Sequence, residues 1–439
     1  MKLTDNKFET ADRICKDIKK LCKTVGSRNA GSDGEKQTAE FFADRLSASA
    51  DSVSIEKFKV NPNAFSNWII LSVSGALLGC VAYFFSSLVA ILLFAVAMIP
   101  FIGQYILYKR MLDPLYAEKT SQNVTAIKSC SGEPKKRIYL VANTDACFED
   151  TLKYRFGGVM LECALSFDVI GVLYFLALSI ARWVFVGGLG ASIASGPMLY
   201  AGLAGLVFVI PFFASYFTVN NKVVTDGANC NLTGCFVATE VLEAFKDVVF
   251  ENTELAVLLT GSGVVGLRGA KAWCDAHAKD VDKDNTVFIS LNALRELGSL
   301  NVNSSDMNGL VKSSKEVVNL VLESAKDIGV KCTSRRIPFD ASDSVPFIQS
   351  GLKSAGICAI GRTLPDYYKT RFDSYDNLSS ECIAECYGLL LEVVRRYADE
   401  GIEIEHTPHP DTEASDEPIE IATAVQDVDV APIDSAPII

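Results

Sequence analysis

TDGANCNLTG, residues 225–234, is the stretch on which the fold is decided. It follows the short run TVNNKVV and leads into CFVATEVLEAF, where apolar residues recur at helical spacing. Gly, Asn and Asp are the residues that let a chain turn sharply. The segment therefore reads as a glycine-bounded turn at a strand end that opens a helix, expected over 236–249. Open α/β sheets bind their ligands at such strand ends, so the side chains in this turn stand where chemistry would be carried.

Outward from that turn the same alternation repeats. Amphipathic helices are expected over 8–23 (Phe8, Ala11, Ile14, Ile18 and Leu21 share one face), 34–47, 312–328 and 379–398. Short apolar strands are expected over 52–60, 136–142, 254–260, 286–292 and 356–360. Strands alternating with helices predict an α/β fold, a mainly parallel mixed sheet flanked by helices.

Two long apolar insertions interrupt it. From Val60 to Tyr108 no residue is charged, and from Val169 to Asn221 the one charge is Arg182. A spanning helix needs about 20 apolar residues, so each run predicts a transmembrane helical hairpin, with helices near 68–85, 89–108, 165–186 and 197–218. The resulting division is 1–60, 116–160 and 221–402 for the α/β domain, 61–115 and 161–220 for the hairpins, and 403–439 for a tail. Lys57, Lys59, Lys109, Arg110, Lys153, Arg155 and Lys222 flank the hairpins on the side of the soluble segments. Positive residues stay cytoplasmic, which predicts a multi-pass protein of the cell membrane with its soluble domain in the cytoplasm. Arg182 is expected to snorkel to the far interface, and Asp168 to lie at the near one.

Composition agrees. Of the 439 residues 49% are hydrophobic, and the net charge of −12 comes largely from 401–439, which holds ten acids and no Lys or Arg. That tail has the composition of a disordered, solvating segment. The remainder, 41 bases against 43 acids, offers no basic field, so nucleic acid is not an expected partner. The odd number of cysteines, 13 without C-x-x-C pairing, fits free thiols in a reducing compartment rather than a disulfide scaffold. The polar N-terminus predicts no cleaved signal peptide.

Read in order, the strand ends resemble the co-catalytic di-zinc aminopeptidase family, metallopeptidase family 28. VGSRNAGSDGEKQTAEFFADRL (25–46) is similar to its opening Arg-x-x-Gly-Ser segment and helix, and QNVTAI (122–127) with IYLVANTDA (138–146) to its Asn-Val strand and His-x-Asp strand end. DGANCNLTGCFVATEVLEAF (226–245) resembles the bridging-aspartate loop, LLTGSGVVGLRGAKAW (258–273) the Glu-Glu segment, and FISLNALRELG (288–298) a strand ending in Asp. SDSVPFIQSGLKSAGICAI (342–360) and YYKTRFDSYDNLS (367–379) resemble the closing Ser-Asp and Tyr-His-Thr segments.

The resemblance implies a zinc-aminopeptidase fold, and it implies a changed site. In that family two His, a bridging Asp, a further Asp and a Glu hold two zinc ions, and a second Glu is the general base. Carried over residue by residue, the His positions are Asn143 and Lys369, the Asp positions Cys230 and Asn292, the ligand Glu Val264 and the base Gly263. Asp145 remains at its strand end. Zinc takes thiolate, imidazole or carboxylate, and without it no bound water has a lowered pKa. The expectation is a vestigial pocket with no metal, no cofactor and no catalytic residues. The three histidines, His277, His406 and His409, stand outside the matching loops.

The reading leans away from an enzyme, toward a pseudopeptidase that binds or scaffolds at the cytoplasmic membrane face, with the bilayer and an unidentified peptide or protein as partners. The alternative is a peptidase or amidohydrolase of the same family working with non-standard residues, for which a Cys230–Lys369 pair and Ser262 are the candidates. A transporter fits less well, because the spans hold few polar residues.

Overall fold

The computed structural model describes residues 6–187, 193–337 and 340–402. The tail 403–439, with His406 and His409, lies outside the described residues, as does part of the glycine-rich connection in the second insertion.

Strand β1 spans Ser52–Val60, β2 Lys119–Lys128, β3 Lys136–Asn143, β4 Phe148–Asp150, β5 Val219–Val224 and β6 Thr253–Thr260. They are followed by β7 Thr286–Asn292, β8 Leu300–Asp306, β9 Val311–Lys312, β10 Thr333–Arg336 and β11 Lys353–Ala359. One sheet runs in the order β1-β2-β6-β3-β7-β11-β8-β10, with β9 on β8. Its centre, β6-β3-β7-β11, is parallel. The β1/β2 and β2/β6 pairs on one flank and the β8/β11 pair on the other are antiparallel. Strands β8 and β10 escape a reading of the sequence for apolar runs because NVNSS and TSRR are polar; β8 puts only Leu300 and Val302 into the core, and β10, at the sheet's edge, is held by its ladder to β8.

The period of two along β3 sorts its side chains. Ile138, Leu140 and Ala142 join the core with Phe42, Phe236 and Leu389 from the helices Asp33–Leu46, Thr233–Ala244 and Ser380–Glu400. Tyr139 and Val141 point to the other face, against Trp273 of the helix Arg268–His277. There the rings of Tyr139, Phe288 and Phe347 stack at centroid distances of 4.6 and 4.3 Å. Full burial of an aromatic or aliphatic side chain contributes about 1.5–3 kcal/mol, so both faces anchor the strand ends that carry the site.

The two insertions fold into apolar helices with their own packed interior. Ser87–Ile106, Gly158–Phe185 and Gly196–Tyr216 are each long and apolar enough to cross a membrane. The first, Trp68–Tyr83, is a shorter apolar helix of 16 residues, so among the described residues three helices rather than four reach spanning length. Phe65 and Ser66 belong to a separate short helix before it, Pro62–Ser66, and Asn67 stands between the two. The turn between the first pair falls where Ser86 caps the second helix by accepting a hydrogen bond from Val89 N. Phe94, Phe175 and Phe212 face inward, whereas Leu78, Val81, Leu92, Val96, Leu173, Val207 and Ile210 are exposed. Gly79 and Gly205 leave room for the inward rings: a Cβ on either would lie 2.8 Å from a carbon of Phe94 or Phe175. Small residues serve this purpose where helices pack in lipid.

Arg182 does not reach outward. It is buried, donates to the carbonyl of Tyr83 and lies 5.6 Å from the centroid of that ring. A cation at a helix C-terminus satisfies orphan carbonyls and opposes the negative end of the dipole, so Arg182 ties the second insertion to the first.

The insertions are fastened to the α/β frame at their bases. Beneath the first, Tyr108 Oη donates to Asp340 (3.1 Å), Lys271 donates to the Tyr108 carbonyl, and Arg268 pairs with Asp113 at 2.7 Å. Beneath the second, β4 and β5 pair antiparallel as a ribbon, and Glu149 in β4 holds Arg371 at 2.6 Å.

Candidate functional site

A small cavity of about 30 Å³ opens where the parallel strands end. Its wall takes Asn143 from the end of β3, Gly263 and Val264 from the turn after β6, Asn292 from the end of β7, Cys230 from the turn before the helix Thr233–Ala244, and Lys369 from the last loop. Chain segments up to 226 residues apart meet there because parallel strands present their carboxyl ends at one edge. The same cavity is lined by Phe65 and Tyr108, from the base of the first insertion. That contribution is invisible in the sequence, which brings only the second insertion next to the site by connectivity.

Asp145 lies just behind the wall and organises it. Asn143 Nδ2 donates to Asp145 Oδ1 (2.9 Å), Gly263 N to the same oxygen (2.9 Å) and Val264 N to Oδ2 (3.1 Å). The next amide back, Ser262 N, donates to Glu35 Oε1 at 2.5 Å, and the Ser262 and Ser121 hydroxyls donate to the same carboxylate. Three consecutive backbone amides thus rest on two buried carboxylates. Glu35 is placed by its own helix: Ser32 caps Asp33–Leu46 by accepting from Glu35 N, while Glu35 Oε2 accepts from Gly31 N (2.7 Å), close to a capping box. Thr260 Oγ1 donates to Asp343 Oδ2 (2.6 Å), completing the hold on the turn.

Burial sets the electrostatics. Burial, and then the nearby Asp145 charge, pushes the Glu35 carboxyl up to about 7. Burial likewise raises Asp145, against hydrogen bonds that favour its charged form, and carries Asp343 to about 7. A carboxylate without a counter-charge in a low-dielectric site prefers its proton.

Lys369 pairs with Asp340, not with Asp145. Its Nζ lies 2.6 Å from Asp340 Oδ2, which also accepts from Tyr368 Oη at 2.5 Å. Burial works to raise the Asp340 carboxyl, but the Lys369 charge and these hydrogen bonds hold it below its ordinary value. Burial works to lower Lys369, and Asp340 raises it above the usual lysine value. Lys369 sits in left-handed backbone, φ 60°, as do Ser262 (53°), Leu267 (60°) and Ala293 (53°) around the same cavity. Non-glycine residues in that region cost on the order of 1 kcal/mol or more each and cluster at functional sites.

The thiols are quiet. Burial, with Asp373 next, pushes Cys230 well above the ordinary thiol value, and burial takes Cys147 up to about 11. Nucleophilic chemistry needs the thiolate, and the Lys369 amine that would have to act as base holds Asp340 instead. His277 stands on a helix at 2.8 Å from Glu56, and it does not line the cavity.

The model of peptidase family M28 matches residues 213–394. Over those residues the chain is similar to peptidase family M28. Solved structures of zinc aminopeptidases share its fold. One from Bacillus subtilis, 15% identical, superposes with a TM-score of 0.53 over 88% of this chain and 95% of its own. A leucine aminopeptidase precursor from Bacteroides thetaiotaomicron, 12% identical, gives 0.51 over 88% and 96%. A glutaminyl cyclase from an Acidobacteriales bacterium, also 12% identical, gives 0.51 over 89% and 96%. No curated protein matches the chain in sequence.

Zinc is the metal that an M28 fold implies, and the groups around this cavity do not fit it. Two carboxamides, a protonated buried thiol, an ammonium and the backbone of Gly263 and Val264 are not zinc donors. Among the described residues, no group of three or more His, Cys, Asp or Glu is placed to hold a metal ion. Asp340 and Asp343 line the cavity, but Asp340 is taken by Lys369 and Tyr368, and Asp343 gives Oδ2 to Thr260, leaving Oδ1 as a single carboxylate oxygen without a second ligand beside it. Glu35, Asp340, Asp343 and Tyr108 are the site residues that reading the sequence missed. The two acids of FDASDS were a signal, since acids three residues apart just ahead of the apolar run VPFI call for partners. Nothing near Glu35 or Tyr108 in sequence announces that they reach the site.

Proposed function

We propose that this M28-like chain is a membrane-anchored pseudopeptidase that binds or scaffolds at the cytoplasmic face of the cell membrane. The observation that carries the proposal is the Lys369–Asp340 ion pair at 2.6 Å, on the wall of the cavity at the strand ends. An ammonium held against a buried carboxylate supplies, without a metal, the positive charge such a site requires. Asn143, Asn292, Gly263 and Val264 put no carboxylate or imidazole at the positions where the family resemblance places the ligands and the base.

Anchoring is supported by three helices of spanning length, by the apolar outer face of the insertions and by the basic residues at their bases. The cavity has room for about two waters, so a peptide or protein partner would be recognised by the surface around its mouth, beside Phe65 and Tyr108. The alternative, a hydrolase using Cys230, Lys369 or Ser262, has against it a protonated thiol, an occupied ammonium and a serine hydroxyl given to Glu35.

Zinc analysis and aminopeptidase assays on protein purified without chelator test the reading. The expected result is less than stoichiometric zinc and no turnover with added zinc. One or two tightly held zinc ions per chain, or turnover lost on Cys230→Ser or Lys369→Met, would overturn it.

A further inference from the structure

A second cavity, of about 40 Å³, lies among the apolar helices. Trp68 and Ser72 come to it from the first helix, Phe101 from the second, Asp168 and Val172 from the third and Phe212 from the fourth. Its wall is almost wholly apolar apart from Asp168 and Ser72, and no Lys, Arg or His lines it.

Two polar atoms there are orphaned. Asp168 Oδ1 and Ser72 Oγ are buried and have no hydrogen-bond partner among the described residues. Ser72 is more than nine-tenths buried, and Ser215 of the last helix, fully buried, stands within reach of the Asp168 carboxyl. Arg182, the cation of this helix, is fourteen residues further on, roughly 21 Å along the axis, and is engaged with Tyr83. Leaving such groups unpaired in an apolar interior is costly, and ionisable residues inside membrane helices face partners or pathways.

Depth narrows the partner. Glu162 Oε1, six residues earlier, accepts from Leu364 N of the α/β domain at 3.4 Å. Asp168 is thus roughly 9 Å further along the helix, at the level of a head group rather than of the bilayer centre. We infer that this cavity binds the primary-ammonium head of a membrane amphiphile, with Asp168 as its counter-ion and Ser72 accepting a second of its N–H groups. The hydrocarbon chain lies between the helices, against Val172 and Phe212. A neutral alcohol offers a single donor, and an anionic head group is repelled.

This rests on the membrane reading of the insertions, so flotation with liposomes after an alkaline wash is measured alongside. Extraction by the wash defeats that reading; retention with no amine preference defeats only the site. The binding assay uses full-length protein in nanodiscs and quenching of Trp68 fluorescence, with Trp183→Phe, by a twelve-carbon primary amine brominated beside its head. The same chain ending in an alcohol is the comparator. The expected result is saturable quenching, the amine binding about ten-fold or more tighter than the alcohol, with Asp168→Asn abolishing that preference. Equal binding of amine and alcohol, or an amine preference that survives Asp168→Asn, overturns the site and leaves Asp168 a protonated packing residue. Should Asp168→Asn not fold, Val172→Phe decides, since it fills the cavity, leaves the carboxylate and adds no fluorophore at the tryptophan wavelength: it is expected to abolish saturable quenching, and retained quenching overturns the inference.

Discussion

The side chain of Asn143 fills the space that a side chain on residue 263 would need. A Cβ built on Gly263 would lie 2.7 Å from Asn143 Cβ and 3.0 Å from its amide nitrogen. The two residues are 120 positions apart, and each stands where the family resemblance places a metal-site group. The Asn143 amide turns toward Asp145 and closes over a residue without a side chain.

That contact predicts strong coupling. Gly263→Ala alone is expected to cost about 1–3 kcal/mol by overpacking, and Asn143→Gly in the same chain, which removes the Cβ 2.7 Å away, to recover part of it. A double-mutant cycle by chemical denaturation should give a coupling above about 1 kcal/mol. Additive effects would mean that the two side chains do not share the space.

Restoring the metal site tests the correspondence of residues. Asn143→His, Cys230→Asp, Gly263→Glu, Val264→Glu, Asn292→Asp and Lys369→His together are expected to bind zinc, measured by calorimetry. The five-residue set that keeps Asn143 should bind more weakly, because a carboxamide stands where an imidazole would ligate. A folded six-residue variant without zinc affinity would mean that the cavity has lost the ligand geometry.

The Lys369–Asp340 pair gives a test by charge. Lys369→Met strands a buried carboxylate and is expected to cost about 3–5 kcal/mol, whereas adding Asp340→Asn should return the protein to within about 1 kcal/mol of its starting stability. Thermal unfolding in detergent, followed by near-UV circular dichroism, reads both.

Stability should depend on pH with an unusual sign. Glu35 and Asp343 have folded values of about 7, above the roughly 4 of an unfolded carboxyl. Between these limits the folded chain binds more protons, so stability is greatest at the acid end and falls as pH rises toward 7. The slope is at most about 1.4 kcal/mol per pH unit for each group. Lys271 works oppositely: burial, with Arg268 and Arg110 beside it, lowers it to about 7, so its contribution is recovered as pH rises above 7. The melting temperature is expected to pass through a minimum near pH 7. Glu35→Gln should flatten the acid limb and Lys271→Met the alkaline one.

Topology can be read with thiols. Cys15, Cys130 and Cys332 are partly exposed, while Cys386, which by sequence alone looks equally useful, is fully buried. A membrane-impermeant maleimide should label the first three only after cells are permeabilised. Labelling in intact cells would reverse the orientation.

Much of this was legible in the chain. The helices and five strands read from apolar periodicity all exist, with ends displaced by a few residues, because burial on one face imposes that period on sequence. The uncharged runs declare the apolar helices, since length without charge is itself the signal. The turn at 225–234 and the strand ends around it named the wall of the cavity, since parallel strands deliver their carboxyl ends to one edge whatever the side chains are. Partners across the fold were not legible. Lys369 had Asp145 and Asp340 as rivals, and the choice fell to the carboxylate with an oxygen that backbone amides had left free: Gly263 and Val264 take both oxygens of Asp145, whereas on Asp340 Ala341 N takes Oδ1 alone. Arg182 reads as a snorkelling residue until Tyr83 is seen to offer a carbonyl. Periodicity and charge act along the chain and are written in it. Which buried polar group satisfies which is decided by distances between residues far apart in sequence, and those exist only once the chain has folded.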